Sequence, residues 1–436
     1  MRRTLGKIER KQVGCGMAKI YNGIPWFDQD GNTVNAHGAC ILKEKGRWYL
    51  FGEYKTDDEN KYIGFSCYST LDFTNWKFEG LALPPQKDDL LGPDRIGERV
   101  KVLKCPKTGK FVMLMHTDDL KYCDPCIGLA VGDSINGEFT FQGPLLYQGK
   151  PLKMWDIGTF VDDDGTAYLL THEGNIYRLS KDYTQAVELI AENIAPGGES
   201  PACFKAKGKY FLLFSHKTSW ERNDNYYFMA DSLYGPWEYK GLFCPKGSLT
   251  YNSQCSFVFH YDGEKGRIPV YMGDRWSFPR QASAAALVLL PIEAGESGME
   301  IPQYLEIWSP DTLNTIPAKP EKLLSFRSNV EGESCVIPFH GSRIALFGRT
   351  FQEGGYADID IFNGEGKLVH KTAIDFYSLV PCEGLRYLSP MVPEGDYTLK
   401  VTVSGVGGVW YNKKGDRFGS KGCFVELTGW KADVNL

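Results

Sequence analysis

The chain lacks a hydrophobic run long enough to cross a membrane. Its longest apolar stretch, Ala284 to Pro291, has the length of a strand, whereas a membrane-spanning helix needs about 20 residues. The first twelve residues are basic but contain no apolar segment of the kind that defines a secretory signal. As written, the sequence therefore predicts a cytoplasmic protein without membrane contact, or a secreted or periplasmic one if a signal peptide has been removed.

An excess of positive charge is also missing. The 49 basic residues are balanced by 54 acidic ones, the net charge is −5, and no basic block occurs. Proteins that bind nucleic acid neutralise phosphates with clustered Lys and Arg, so this function is not expected here.

Zinc-ligand spacing is lacking as well. The chain has 12 cysteines, but only Cys123 and Cys126 form a close pair, and no second pair or histidine follows at the right spacing. The other cysteines lie mostly within apolar runs, where a reduced thiol packs as a small hydrophobe. The sequence therefore predicts no metal site of the zinc type.

Sustained helical periodicity is absent, and one β-hairpin pattern takes its place. An apolar run, a turn glycine and an aromatic-rich apolar run occur in this order five times, with the glycines 63, 56, 43 and 58 residues apart. A hairpin that recurs in this way is typical of a β-propeller, with about four strands in each blade. The sequence therefore predicts an all-β protein with a five-bladed β-propeller. The turn glycines are Gly46, Gly109, Gly165, Gly208 and Gly266.

The hairpin pattern stops near residue 308. A Pro- and Lys-rich stretch follows, and after it come short strand-like runs without the hairpin pattern, which favour a β-sandwich. We expect an N-terminal extension (1–29) packed on the propeller, a five-bladed catalytic propeller (30–308), a linker (309–322) and an accessory β-sandwich (323–436).

Polar residues stand just ahead of every hairpin, 9 to 12 residues before its turn glycine. Apolar residues would be expected there if these strand ends faced a packed core. Because innermost strands converge on the propeller axis, these residues predict a polar pocket in which carboxylates carry out acid–base chemistry. The residues are Asn35 and His37, Glu98, Asp156, Glu199 and Gln254.

Two segments resemble motifs of glycoside hydrolase family 43, five-bladed propeller enzymes of plant-polysaccharide breakdown. Trp155 to Leu169 is similar to the third-blade motif and Gly198 to Ala202 to the fourth-blade acid motif, within a similarity that spans about 20–308. The family's first-blade Asp is absent, since Asn35-Ala36-His37 stands there. That departure resembles the exo-β-1,3-galactanase and galactosidase branch, as do four further segments: Phe51 to Glu53, Gly97 to Arg99, Tyr251 to Ser256 and Tyr271 to Trp276.

The resemblance implies an inverting exo-hydrolase that releases terminal galactose from β-1,3-linked galactan or galacto-oligosaccharides. It implies Glu199 as the general acid, Gln254 as the group that orients or deprotonates water, and Glu98 and Asp156 as sugar-binding groups that tune the acid. We expect Gln254 across the pocket from Glu199. Candidate substrate-binding residues are Glu53, Asn35, His37, Tyr122, Thr218, Trp220, Asp274 and Trp276, with Trp155 as a further stacking surface.

Several alternatives remain open. Gln254 is compatible with a simple substrate-binding amide, and Glu98 with a surface ion pair to Arg95 or Arg99. The enzyme could instead be an α-L-arabinofuranosidase or β-xylosidase of the same family, or the chain a non-catalytic sugar-binding propeller. No cofactor is required, although a calcium ion near the axis is compatible with His37; the oligomeric state is open.

Overall fold

The structure, a computed structural model, describes residues 17–218, 222–412 and 414–432 of the 436-residue chain. These residues are nearly all β, as the lack of helical periodicity predicts. Helical turns are short, and none of those described has the length and hydropathy of a membrane span. They comprise Asp89–Leu91, His172–Gly174, Leu249–Asn252 and Gln281–Ala284.

Five sheets follow one another along the first two thirds of the chain, and each contains one of the expected antiparallel hairpins. The five turn glycines all have positive φ, which suits the tight turn between the first two strands. The strands of the first sheet are His37–Glu44, Arg47–Glu53, Phe65–Thr70 and Lys77–Leu83; those of the second are Arg95–Lys104, Phe111–Asp119, Cys126–Gly132 and Thr140–Pro144.

The third sheet continues this order with Ile157–Val161, Ala167–Thr171, Asn175–Leu179 and Gln185–Ala191, and Leu146–Tyr147 and Lys150–Pro151 extend its outer edge. The fourth sheet contains Gly198–Ala206, Lys209–His216, Tyr226–Ala230 and Glu238–Leu242. The fifth contains Gln254–Gly263, Gly266–Arg275 and Ala286–Pro291.

The first strands of the five sheets contact one another in sequence, and the first strand of the fifth sheet contacts that of the first. The starts of these five strands are therefore brought around one axis. This arrangement gathers the polar residues that precede the hairpins.

The fifth sheet has three strands rather than the expected four. After Pro291 the sequence is rich in Gly and Glu and lacks an alternating apolar run, so it forms only the short pair Glu293–Ala294 and Met299–Glu300. The chain then reaches Ile307–Trp308, which pairs with the N-terminal strand Ile20–Tyr21. The amide of Asn22 donates to two backbone carbonyls here, so the described N-terminal residues lie against the fifth sheet.

The C-terminal residues form two four-stranded antiparallel sheets that share one apolar core, which we call the C-terminal sheet pair. A short hairpin, Val409–Tyr411 and Arg417–Gly419, lies beside them. One sheet contains Lys322–Ser328, Val425–Ala432, Ile344–Thr350 and Cys382–Leu388; the other contains Ser334–Gly341, Gly395–Val403, Tyr356–Asn363 and Leu368–Asp375.

Candidate active site

A β-bulge lies near the start of four of the five innermost strands. In the first, second and fourth sheets, one extra residue separates the polar residue from the regular ladder below it. The polar residues are His37, Glu98 and Glu199, and the residue that follows each of them has positive φ. These following residues are Gly38, Arg99 and Ser200. The fifth sheet has its bulge after Cys255. Since a bulge redirects side chains at the end of a strand, this repeated irregularity turns the polar residues toward a common cavity.

That cavity has a volume of about 540 Å³, enough for a small sugar ligand. It brings together the four predicted catalytic residues and combines several carboxyl groups with basic and aromatic side chains. Among the described residues its wall is formed by Glu53, Glu98, Arg99, His116, Tyr122, Trp155, Asp156, His172, Glu199, Lys217, Gln254 and Trp276.

Glu199 is a carboxyl group with a raised pKa. Burial and the negative charge of Asp156 raise it to about 8, although Arg99 and Lys217 act in the opposite direction. Glu199 Oε1 accepts a hydrogen bond from Gln254 Nε2 at 2.9 Å. At neutral pH this side chain is therefore protonated, as a general acid must be.

Asp156 lies on the other side of a buried arginine. Arg99 Nε is 2.8 Å from Asp156 Oδ1, and the backbone N–H of Ser200 donates to Oδ2 at 2.7 Å. Asp156 itself has positive φ and directly precedes the innermost strand of the third sheet. Its carboxylate is thus held next to the segment that carries Glu199.

Glu98 is ionised at neutral pH, in contrast to the protonated Glu199. Its burial favours protonation, but a hydrogen bond from His116 and the charge of Lys55 outweigh burial and hold the pKa of Glu98 well below its usual range. Oε1 accepts hydrogen bonds from Tyr122 Oη at 2.7 Å and Asn60 Nδ2 at 2.9 Å. The alternative of a surface pair with Arg95 or Arg99 is wrong, because Glu98 faces the cavity.

A buried imidazolium stabilises this anion. His116 Nδ1 is 3.5 Å from Glu98 Oε2, and His116 Nε2 is 3.3 Å from Asp118 Oδ2. Burial opposes protonation of the ring, but these two carboxylates raise the pKa of His116 to about 9. The cavity therefore contains a neutral carboxylic acid and an ionised carboxylate, the pairing that acid–base catalysis at one bond requires.

Gln254 does not lie across the pocket from Glu199, and that expectation is wrong. Its Nε2 donates directly to Glu199, and its Oε1 accepts from Arg99 Nη2 at 2.8 Å and from Trp276 Nε1 at 2.9 Å. A sugar and a water cannot fit between two groups in direct hydrogen bond. The structure places Gln254 beside the acid because the start of the fifth sheet adjoins the start of the fourth.

Three predicted substrate-binding residues lie below the cavity wall and do not line it. The amide of Asn35 is bonded at both ends to the backbone of Lys55. His37 is 1% exposed and packs against Trp276, and Asp274 is fully buried and accepts from the backbone N–H of Gly38. They support the wall from beneath, which corrects their assignment as sugar contacts.

The other predicted binding residues divide into three groups. Glu53, Tyr122 and Trp276 line the cavity, as does Trp155, which is 40% exposed. Thr218 is not in the wall, and its hydroxyl accepts a hydrogen bond from Asn223. Trp220 lies outside the described residues.

The axis below the cavity does not fit a calcium ion. The ammonium of Lys101 is fully buried there, 2.8 Å from the carbonyl oxygen of Gly38 and 3.3–3.4 Å from those of Ala39, Arg99 and Val100. Calcium prefers such oxygens as ligands, but a cationic group already binds these. Within the described ranges, no cluster of three or more His, Cys, Asp or Glu side chains is arranged to hold a metal.

Four residues of the wall were not recognised as site residues in the sequence: Arg99, His116, His172 and Lys217. One signal does identify His116. In an antiparallel hairpin each strand-entry residue has a fixed partner on the second strand, and Glu98 pairs with His116 just as Glu199 pairs with Ser215. Counting across the turn glycine Gly109 therefore identifies His116 as the partner of Glu98.

The chain is similar to known glycoside hydrolases. Residues 40–243 match the family described as glycosyl hydrolases family 43. A protein of Bifidobacterium bifidum S17 assigned as an exo-β-1,3-galactanase is 36% identical, with a TM-score of 0.61 over 65% of this chain and 96% of that one. A family 43 β-1,3-galactosidase solved with galactodeoxynojirimycin is 28% identical, with a TM-score of 0.60 over 65% and 98%.

A further structure resembles almost the whole chain. The exo-β-1,3-galactanase of Phanerochaete chrysosporium, solved with galactose, has a TM-score of 0.66 over 94% of this chain and 99% of that one. At 23% identity this likeness concerns the fold, including the C-terminal sheets. The comparison with curated protein sequences gave no match.

Proposed function

Because the chain belongs to glycosyl hydrolases family 43, we propose that it removes terminal galactose from β-1,3-linked galactan or galacto-oligosaccharides by an exo-acting mechanism. The observation that carries the proposal is the protonated Glu199 in the same cavity as the ionised Glu98. The relatives at 36% and 28% identity, named as a β-1,3-galactanase and a β-1,3-galactosidase, support the choice of sugar and linkage.

In this proposal the five sheets are the blades of a β-propeller. The ring of contacts between their first strands supports a propeller over residues 30–308. Residues 323–436, with their two facing sheets, are the accessory β-sandwich, joined through 309–322. Residues 1–29 are the extension, whose strand Ile20–Tyr21 pairs with the end of the propeller region.

Glu199 is the proposed general acid. Its proton passes to the glycosidic oxygen as the bond to the terminal sugar breaks, and positive charge develops on the sugar ring. Asp156 and Glu98 stabilise that charge as anions. Asp156 also keeps Glu199 protonated until the reaction begins, since its charge raises the pKa of the acid.

Glu98 is the proposed acceptor for the attacking water. Oε1 of Glu98 is bonded to Tyr122 and Asn60, whereas Oε2 has the longer 3.5 Å contact to His116. A carboxylate of low basicity accepts the proton late, when the water has already bonded to a cation-like sugar. Acid and acceptor on opposite faces of the sugar give inversion of configuration.

Hydrolysis of β-1,3-galactobiose followed by proton NMR tests the proposal. We expect α-galactose as the first product, because inversion converts a β-linkage into an α-hemiacetal. If β-galactose appears first, the reaction retains configuration and the mechanism is wrong. Release of arabinose or xylose from aryl glycosides without galactose release identifies the alternative activities, and binding without hydrolysis identifies a lectin.

A further inference from the structure

Trp276 fixes the orientation of the Gln254 amide. Its indole N–H and the guanidinium of Arg99 both donate to Gln254 Oε1, at 2.9 and 2.8 Å. If the amide were turned by 180°, its NH₂ group would face two donors. The amide therefore has one stable orientation, in which Nε2 faces Glu199.

This orientation has a consequence for the proton of the acid. Because Gln254 Nε2 donates to Glu199 Oε1, that oxygen acts as the carbonyl acceptor and the acidic proton belongs on Oε2. With the amide reversed, Glu199 would instead donate its proton to Gln254. The proton would then point away from the substrate.

The C-terminal sheet pair holds the segment that carries Trp276. Tyr356 Oη donates to the carbonyl of Phe278 at 2.9 Å, and the hydroxyl of Ser277 lies 2.7 Å from Asp375 Oδ2 and 3.2 Å from Tyr356 Oη. Tyr356 is 1% exposed and Ser277 is 3% exposed. The two residues after Trp276 are thus bonded to side chains of a different sheet system.

Arg222 binds the same segment from a second direction. Its guanidinium donates to the backbone carbonyl of Trp276 and lies over the ring of Tyr377, with 5.8 Å between Cζ and the ring centroid. Asp375 Oδ1 accepts from the backbone N–H of Tyr377 at 2.8 Å. Trp276 is therefore clamped between the fifth sheet and the C-terminal sheet pair.

We infer that Tyr356 and Asp375 are positioning residues for catalysis, which act on Glu199 through Trp276 and Gln254. This inference rests on the proposed function, in which Glu199 is the general acid. It assigns the C-terminal sheet pair a part in the active site, although none of its described residues lines the cavity.

The substitution Tyr356→Phe tests this inference. It removes the bond to Phe278 without removing the ring. We expect kcat on β-1,3-galactobiose to fall by about tenfold or more, because a small displacement of a catalytic group has effects of this size. KM should change by less than kcat does, because Tyr356 is outside the sugar cavity and reaches the sugar only through Trp276.

Two further measurements separate positioning from a general structural effect. A dinitrophenyl galactoside needs little protonation of its leaving group, so its hydrolysis should be much less affected than that of the disaccharide. The basic limb of the kcat/KM profile should move to higher pH, because Gln254 favours ionised Glu199 and would do so less when its amide is mobile. The charged groups that face Glu199, namely Asp156, Arg99 and Lys217, are unchanged in this variant.

Asp358→Asn is the matched control. Asp358 forms a partly exposed ion pair with Arg280 at 2.6 Å in the same interface, and the guanidinium of Arg280 lies over the ring of Tyr356, 5.0 Å from its centroid. The substitution therefore perturbs the surroundings of the Tyr356 ring and leaves the hydroxyl bond to Phe278 in place. We expect wild-type kinetics for this variant. Asp375→Ala, which removes the second contact to Ser277, should reproduce the effects of Tyr356→Phe and serves in its place if that variant does not fold.

The possible outcomes are distinct. Wild-type kinetics in folded Tyr356→Phe, or equal losses on both substrates, would overturn the inference while leaving the function intact. If the wild-type protein releases no galactose, the proposed function fails. The inference is then decided by the ¹³C NMR titration of the Glu199 carboxyl, which should move to higher pH in Tyr356→Phe and stay unchanged in Asp358→Asn.

Discussion

Replacing the acid Glu199 by Gln should make the protein more stable while it abolishes activity. In the folded protein the pKa of Glu199 is about 8, against 4.5 for an exposed glutamate. At pH 7 the side chain is therefore ionised in the unfolded chain and protonated in the native one, so folding has to take up a proton. A group with a raised pKa contributes its full stability below pH 4.5 and loses it as the pH rises to 8.

The size of the effect follows from these two values. Between pH 4.5 and pH 7 the native state loses stability over about 2.5 pH units, at about 1.36 kcal/mol per unit, which gives an upper limit of about 3 kcal/mol. Glu199 is only partly buried, so solvent screening reduces this to about 1–2 kcal/mol. The glutamine side chain that replaces Glu199 carries no charge, and its oxygen can still accept from Gln254 Nε2.

Thermal unfolding between pH 4 and pH 9 measures the difference. We expect equal midpoints near pH 4 and a variant that is more stable by about 1–3 °C above pH 8, since the unfolding entropy of a chain of 436 residues makes about 1 kcal/mol correspond to about 1 °C. The exposed residue Glu138 provides a control, because Glu138→Gln should leave the midpoint unchanged. Hydrolysis of β-1,3-galactobiose should fall by about 10²–10⁴-fold in Glu199→Gln. A gain that does not depend on pH, or no gain at all, would refute the reasoning.

Three further predictions concern the same cavity. Gln254→Glu places a second carboxyl group beside Glu199; because the two would share a proton, the basic limb of kcat/KM should move to higher pH, and an unchanged profile would contradict this. Glu98→Gln should be as severe as Glu199→Gln and should recover activity with azide; a failure of azide to restore the rate excludes Glu98 as proton acceptor. Asp118→Asn should lower the pKa of His116 from about 9 toward 6.5 in an NMR titration of the imidazole, and a value that stays near 9 would show that Asp118 does not hold the proton.

The hairpins were predictable because their signal is local. A turn glycine such as Gly208 and the apolar runs beside it specify two paired strands without reference to the rest of the chain. The missing fourth strand of the fifth sheet and the pairing of Ile20–Tyr21 with Ile307–Trp308 were not predictable in this way. Both depend on contacts between residues that are far apart in sequence.

The candidate site shows the same limit. Residues at strand entries, such as Glu98 and Glu199, were found from their distance to the turn glycine. Which of them face the cavity was not predictable, because the bulges decide this. Gln254 illustrates a second limit, since its direct hydrogen bond to Glu199 of the adjoining sheet could not be read from the sequence. Arg99 was missed for a similar reason, because an arginine next to a glutamate suggests an exposed ion pair, whereas here it is buried against Asp156.

The bulges that redirect the site residues also divide four of the five innermost strands into two parts that can change separately. Below the bulge, alternation of side chains in the regular ladder sets which residues pack in the core. Above it, the extra residue interrupts this alternation, so a change at the position of Glu98 or Glu199 need not alter the packing underneath. Such a scaffold can exchange a polar side chain at the cavity without a change of fold.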